Sequence, residues 1–206
     1  DQDIRSMTAE QLRQMRGNRM AMIFQDPMMT LNPVMKISTQ MMEAIEAHRA
    51  VSKSEALNEC QSALAMVGIA SPGERLEAYP HQLSGGMRQR VAIAIALLNK
   101  PDVIIADEPT TALDVTIQGQ ILSEIQKICR QTATAVIWIT HDLSVVSGLA
   151  DHISVMYAGK IVEKGTAAEV LNEPKHPYTR GLMASIPRGK HRGPHGAKCR
   201  EAGYEG

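Results

Sequence analysis

Hydrophobic positions along the chain follow two different spacings. Residues 3–19 are polar, with weak helical spacing of Ile4, Met7, Leu12 and Met15. Residues 19–24 (Arg-Met-Ala-Met-Ile-Phe) then predict a short buried strand. Gln25-Asp26-Pro27 breaks it, because Pro27 lacks an N–H and disfavours helix at Asp26. From 37 to 68 the period is helical, with Met41, Ile45 and His48 on one face and Ala56, Cys60, Leu64 and Val67 on another. Pro72-Gly73 and Pro80 mark loops. Ser84-Gly85-Gly86 opens a long apolar helix, expected over 86–99 and stopped by Lys100-Pro101. Residues 103–106 form a short β-branched run that predicts a buried strand, ended by Asp107-Glu108-Pro109. A helix follows over 115–131, with Ile117, Ile121, Ile125, Ile128 and Cys129 on one face. Residues 135–139 predict a second buried strand, ending at Thr140-His141-Asp142. Residues 153–157 and 160–163 flank Ala158-Gly159 as a hairpin. Thr166 starts a helix to Leu171, with Glu169 completing a capping box. Strands alternating with helices, each strand ending in polar residues, predict an α/β fold with its site at the strands' carboxyl ends.

Composition narrows the function classes. Among 206 residues, 22 Lys and Arg balance 22 Asp and Glu, which argues against a nucleic-acid coat or a basic membrane-surface protein. With 44% hydrophobic residues the chain has the apolar mass for a core. Its longest apolar run, residues 91–98, is far short of the ~20 residues a membrane span needs. Cys60, Cys129 and Cys199 lack paired spacing, so neither a disulfide framework nor a zinc site is expected, and a reducing cytosol is the default. Aromatics at 3% argue against base stacking as the main activity. Residues 187–206 are rich in Gly and basic residues without a helical or strand period, carry a net charge of +3, and are expected to be disordered.

Four polar clusters carry candidate chemistry. Asp107 and Glu108 follow four apolar residues. At a strand's carboxyl end the first suits a hydrated Mg²⁺ and the second a polarised water, although two surface carboxylates ending a strand read the same way. In Leu83-Ser84-Gly85-Gly86-Met87 the hydroxyl, two glycines and a helix N-terminus suit a phosphate; a Ser N-cap with a glycine turn fits equally. Arg88 and Arg90 oppose the dipole at that helix start, which a nearby anion or carboxylate, or plain solvation, would explain. His141 is placed either to meet a phosphate oxygen or to serve as a structural residue. Gln25 ends the first strand as a ligand for metal or water, or as a polar terminus.

Taken together and in this order, Gln25, Leu83-Ser84-Gly85-Gly86-Met87, residues 103–108, Ala112-Leu113-Asp114 and His141 resemble the nucleotide-binding subunit of ABC transporters, over about 19–164. The resemblance implies a P-loop NTPase-like ABC nucleotide-binding domain, α/β in class, with a helical signature subdomain and an incomplete N-terminus. It divides the chain into 1–32 with the Gln loop and 33–99 as the helical subdomain with the signature. Residues 100–165 become the catalytic core with Walker B, D-loop and His switch, 166–186 a helical extension and 187–206 a tail. It implies ATP and Mg²⁺ as ligands. Ser84, Gly85 and Gly86 would bind the γ-phosphate of a nucleotide held mainly by a second subunit, and Asp107 would hold Mg²⁺ through water. Glu108 would polarise the attacking water, His141 would contact the γ-phosphate, Gln25 would sense metal and water, and Asp114 would signal across the dimer.

Three further segments resemble the ATPases of dipeptide, oligopeptide, glutathione and nickel importers. They are Phe24-Gln25-Asp26-Pro27-Met28 with Thr30-Leu31-Asn32-Pro33, Tyr79-Pro80-His81-Gln82-Leu83, and His176-Pro177-Tyr178-Thr179-Arg180-Gly181-Leu182. The implied partners are a second ATP-binding subunit, two membrane-spanning permease subunits and, indirectly, an external substrate-binding protein, with no nucleic acid. The implied place is the cytoplasmic face of the bacterial inner membrane. Of 13 methionines, Met28, Met29 and Met35 are expected near the permease contact, since flexible thioethers suit an adaptable groove. The chain also departs from the family. It has no GxxxxGK[ST] loop, which precedes this segment in the family, so truncation upstream of Asp1 is expected and turnover by these residues alone is not. The family's adenine-stacking aromatic is missing too. Only Cys199 follows the His176 segment, and one thiolate cannot hold a four-cysteine cluster. Two other readings stand beside the importer. One is a soluble ABC ATPase of DNA repair or translation, which long heptads or a basic face would mark and neither occurs. The other is a catalytically incompetent fragment.

Overall fold

Three short apolar runs meet in a parallel sheet: β1 (Met20–Ile23), β2 (Val103–Asp107) and β3 (Ala135–Ile139), in that order. Ile23 lies opposite Ala106, and Asp107 opposite Ile139. The coordinates are a computed structural model that describes residues 3–110, 115–142, 146 and 148–185. The chain divides into two units, Asp1–Val145 and Val146–Gly206.

In the first unit the pleat sends alternate side chains to opposite faces. Ala21, Ile23, Ile104 and Ala106 turn into the core, with Val136 and Trp138 packed against it. Helices α5 (Gly85–Leu97) and α6 (Val115–Thr132) contribute Val91, Ile93 and Ala94, and Ile121 and Ile125, to the same cluster. The opposite face is open: Met22, Ile137 and Ile139 are 40%, 54% and 45% exposed. This corrects the expectation of fully buried strands. Parallel strands carry apolar residues on both faces because both are normally covered, and the described helices of this core cover one.

Between β1 and β2 the chain builds a helical layer: α1 (Ala9–Met15) precedes β1, and α2 (Ile37–Glu46), α3 (Lys53–Met66), α4 (Pro72–Leu76) and α5 follow it. A Ser52–Glu55 capping box starts α3. Gly68, at φ 73°, ends it with the left-handed turn that glycine adopts without strain. The predicted faces are the buried ones except at His48, which lies past the end of α2 and is half-buried. Met41 and Ile45 of α2 and Ala56, Cys60 and Leu64 of α3 are all fully buried, each large side chain contributing ~1.5–3 kcal/mol. Burial pushes the Cys60 thiol up to about 11. Helix α5 begins at Gly85, one residue before the expected start, and ends at Leu97, earlier than predicted. Among the described residues no helix is long and apolar enough to cross a membrane.

In the second unit β4 (His152–Tyr157) and β5 (Lys160–Thr166) form an antiparallel hairpin, longer than the sequence predicted. Its two-residue turn places Ala158 at φ 47° and Gly159 at φ 76°, the geometry that matches strand twist. The Thr166–Glu169 capping box starts α7 (Ala167–Asn172) as expected. Pro177 opens α8 (Pro177–Ser185), and His176 Nδ1 accepts the Tyr178 N–H at 3.2 Å. The Glu163 carboxylate accepts the Lys175 and His176 N–H groups at 2.7 and 3.0 Å, tying α8's start to β5. Those donors, that of Lys175 foremost, hold its carboxyl down to about 2. The expected tail lies outside the described residues.

Candidate functional site

All three strands of the first unit run the same way, so their carboxyl ends share one edge. Gln25 lies two residues past β1, Asp107 ends β2, Glu108 follows it, and His141 lies two residues past β3. The Glu108 N–H donates to the Ile139 carbonyl at 2.9 Å, binding the exits of β2 and β3 together. Glu108 leaves the strand at φ 43°, a left-handed conformation that costs ~1–3 kcal/mol for a residue with a Cβ.

That turn gathers three side chains. Gln25 Nε2 donates to Glu108 Oε2 at 3.2 Å, and His141 Nδ1 lies 2.9 Å from Glu108 Oε1. The Glu108 side chain is 25% exposed and that of His141 is 70% exposed. The hydrogen bond to Glu108, and then its charge, raise the imidazole pKa above the ordinary histidine value, with Asp142 adding to the effect. The Asp107 carboxylate, half-buried, has no hydrogen bond or ion pair among the described residues. It and the Gln25 amide oxygen are hard oxygen donors of the kind Mg²⁺ takes. Among the described residues no group of three or more His, Cys, Asp or Glu side chains converges as a closed metal cage would require.

Ser84 caps α5: its hydroxyl accepts the Met87 N–H at 3.3 Å. A Cβ added at Gly85 would meet nothing within 4 Å. The chain's own packing therefore gives no reason for a glycine there. Each of the two arginines has a backbone carbonyl among its partners. Arg88 Nε donates to the Leu83 carbonyl at 3.0 Å, and Arg90 reaches the Val67 carbonyl. No hydrogen bond among the described residues joins Ser84 to the Glu108 cluster. Asp114 lies outside the described residues.

Sequence reasoning passed over Gln89. It is only 2% exposed, and its Nε2 points from α5 to the Phe24 carbonyl at 3.5 Å, one residue before Gln25. The available signal was a lone amide within an otherwise apolar helix face.

Comparison with known proteins agrees with this arrangement. Residues 1–111 match the family described as ABC transporter. Residues 162–203 match the family described as oligopeptide/dipeptide transporter, C-terminal region. The chain is 53% identical to the dipeptide transport ATP-binding protein DppD of Bacillus subtilis over 188 residues, covering 91% of this chain and 56% of that protein. It is 49% identical to the oligopeptide transport ATP-binding protein OppD of Bacillus subtilis over 185 residues, covering 90% and 52%. The chain thus spans about half the length of the curated relatives it matches. Its fold resembles the dimeric post-hydrolysis state of the ATP-binding cassette MJ0796 bound to ADP and Pi. The TM-score is 0.70 and the identity 28%, over 79% of this chain and 68% of that one. With a family match across more than half its residues and a polar edge of the expected composition, this chain belongs to the ABC transporter family.

Proposed function

We propose that this chain forms part of an ATP-binding, ATP-hydrolysing subunit that energises a bacterial importer of dipeptides or oligopeptides, with glutathione and nickel as the further substrate classes. The observation that carries the reading is the Gln25–Glu108–His141 cluster at the sheet's carboxyl edge, beside the Asp107 carboxylate, which has no partner among the described residues. The names of the similar proteins and the match over 162–203 favour peptides as cargo.

Asp107 and Gln25 are the residues with oxygen donors for Mg²⁺, which, when bound with ATP, neutralises charge on the phosphates. Glu108 is the residue to orient a water and draw its proton. Gln25 Nε2 and His141 Nδ1 each hold one of its carboxylate oxygens in place. His141, exposed and raised in pKa, offers a hydrogen-bond donor to a γ-phosphate oxygen. Ser84, Gly85 and Gly86 present a hydroxyl and helix N-terminal N–H groups to a phosphate arriving on a second subunit, and Asp114 belongs to that interface. The subunit binds two permeases through the helical layer of 33–99 and acts at the cytoplasmic face of the inner membrane as a peripheral protein. The exposed Met29, 71% exposed, lies in that layer's approach and suits such a contact.

The test is hydrolysis by the intact subunit. Glu108→Gln is expected to lower kcat by at least ~100-fold while ATP binding persists. Normal phosphate release by that variant would refute the reading.

A further inference from the structure

Glu108 and His141 both lie past the ends of their strands, yet they are held differently. Glu108 is fixed through its own backbone, by the N–H donated to Ile139 at 2.9 Å. Among the described residues no backbone hydrogen bond holds His141. Its side chain is 70% exposed, so packing does not hold it either. An exposed imidazole with free rotamers must lose that freedom to stay at one carboxylate oxygen. What spans His141 is a side chain: the Thr140 hydroxyl accepts the Asp142 N–H at 3.0 Å. A hydroxyl that captures the N–H two residues on closes a short turn and sets the direction of the residue between.

We propose that Thr140 is a positioning residue: by accepting the Asp142 N–H it orients His141 so that the imidazole stays within reach of Glu108. The inference rests on the functional reading above only for its effect on rate; the placement of His141 stands on geometry alone. Thr140 precedes the turn and acts through it. A valine of the same shape keeps the β-branched packing and removes the acceptor. A serine keeps the acceptor and removes a methyl group.

The experiment compares Thr140→Val and Thr140→Ser in the intact subunit, by two readouts. In ATP hydrolysis, Thr140→Val is expected to lower kcat about 10-fold with KM for ATP within about twofold, and Thr140→Ser to recover to within about threefold of the parent. In the nucleotide-free subunit, the His141 imidazole resonances of Thr140→Val should move toward those of Glu108→Ala, in which the contact is removed, while Thr140→Ser keeps the parent positions. Parent-like His141 resonances in Thr140→Val overturn the proposal, as does a serine variant as impaired as the valine. A parent subunit that hydrolyses no ATP sinks the functional reading instead, and the resonances then decide the placement by themselves.

Discussion

At the sheet's carboxyl edge, Gln25, Glu108 and His141 are one another's partners, linked by hydrogen bonds of 3.2 and 2.9 Å. At the turn before α5, Ser84 engages its own helix and no other element among the described residues, and a Cβ added at Gly85 would meet nothing within 4 Å. The edge is assembled from residues up to 116 positions apart in the chain, brought together by a parallel register. The Ser84 turn is assembled from four consecutive residues by capping. In one region three side chains are joined within the polypeptide; at the other, Ser84 and Gly85 are exposed, and among the described residues no side chain of another element bonds to Ser84. That contrast fits the proposed site shared between two copies, each giving half.

The sharpest way to break the comparison is to fill the empty half. In Gly85→Asp the added Cβ meets no atom within 4 Å, and the carboxylate it carries lies at a helix N-terminus, where an anion is favourable. The melting temperature should hold or rise while ATP hydrolysis falls by about 100-fold, because the same anion repels a phosphate. Full activity in a folded Gly85→Asp subunit would mean that no phosphate approaches this turn. Ser84→Ala asks how much of the serine is merely structural: loss of the cap should cost about 1 kcal/mol in denaturant unfolding. A larger loss of hydrolysis than that destabilisation explains would assign the hydroxyl a second task.

The smallest effect tests whether self-completion extends to the second unit. Glu163 has its carboxyl held down to about 2 against an ordinary 4.5, chiefly by the Lys175 N–H. A depressed carboxyl contributes stability that is present above its unfolded value and is lost as pH falls toward the folded one. The melting temperature of the hairpin and α8 should therefore drop between about pH 5 and pH 2. In Glu163→Gln that part of the pH dependence should vanish, as followed by amide exchange at Lys175 and His176.

How much was legible beforehand differs from element to element. The strand at 20–23, the faces of α2 and α3, the Ala158-Gly159 turn and the Thr166 cap were all readable, because each depends on neighbours within a few positions. The exposure of Ile137 and Ile139 was not, since an apolar run states what a strand tolerates on its faces and not what covers them. The carbonyls of Leu83 and Val67 as partners of Arg88 and Arg90 were not readable either, since the fold brings them within reach. Gln89 and Thr140 drew no attention because their partners, Phe24 and Asp142, matter only once the strand ends converge.

The amino-acid order by itself determined the elements, the buried faces of α2 and α3 and the identity of the polar residues at each strand end, because periodicity and capping are local chemistry. Only the tertiary structure decided that Glu108 would sit between Gln25 and His141 rather than face water alone. That meeting depends on parallel register, on the Glu108 N–H bonding to Ile139, and on a left-handed turn at Glu108 itself. None of these is a property of any short stretch of chain, since each arises where segments distant in sequence share one edge.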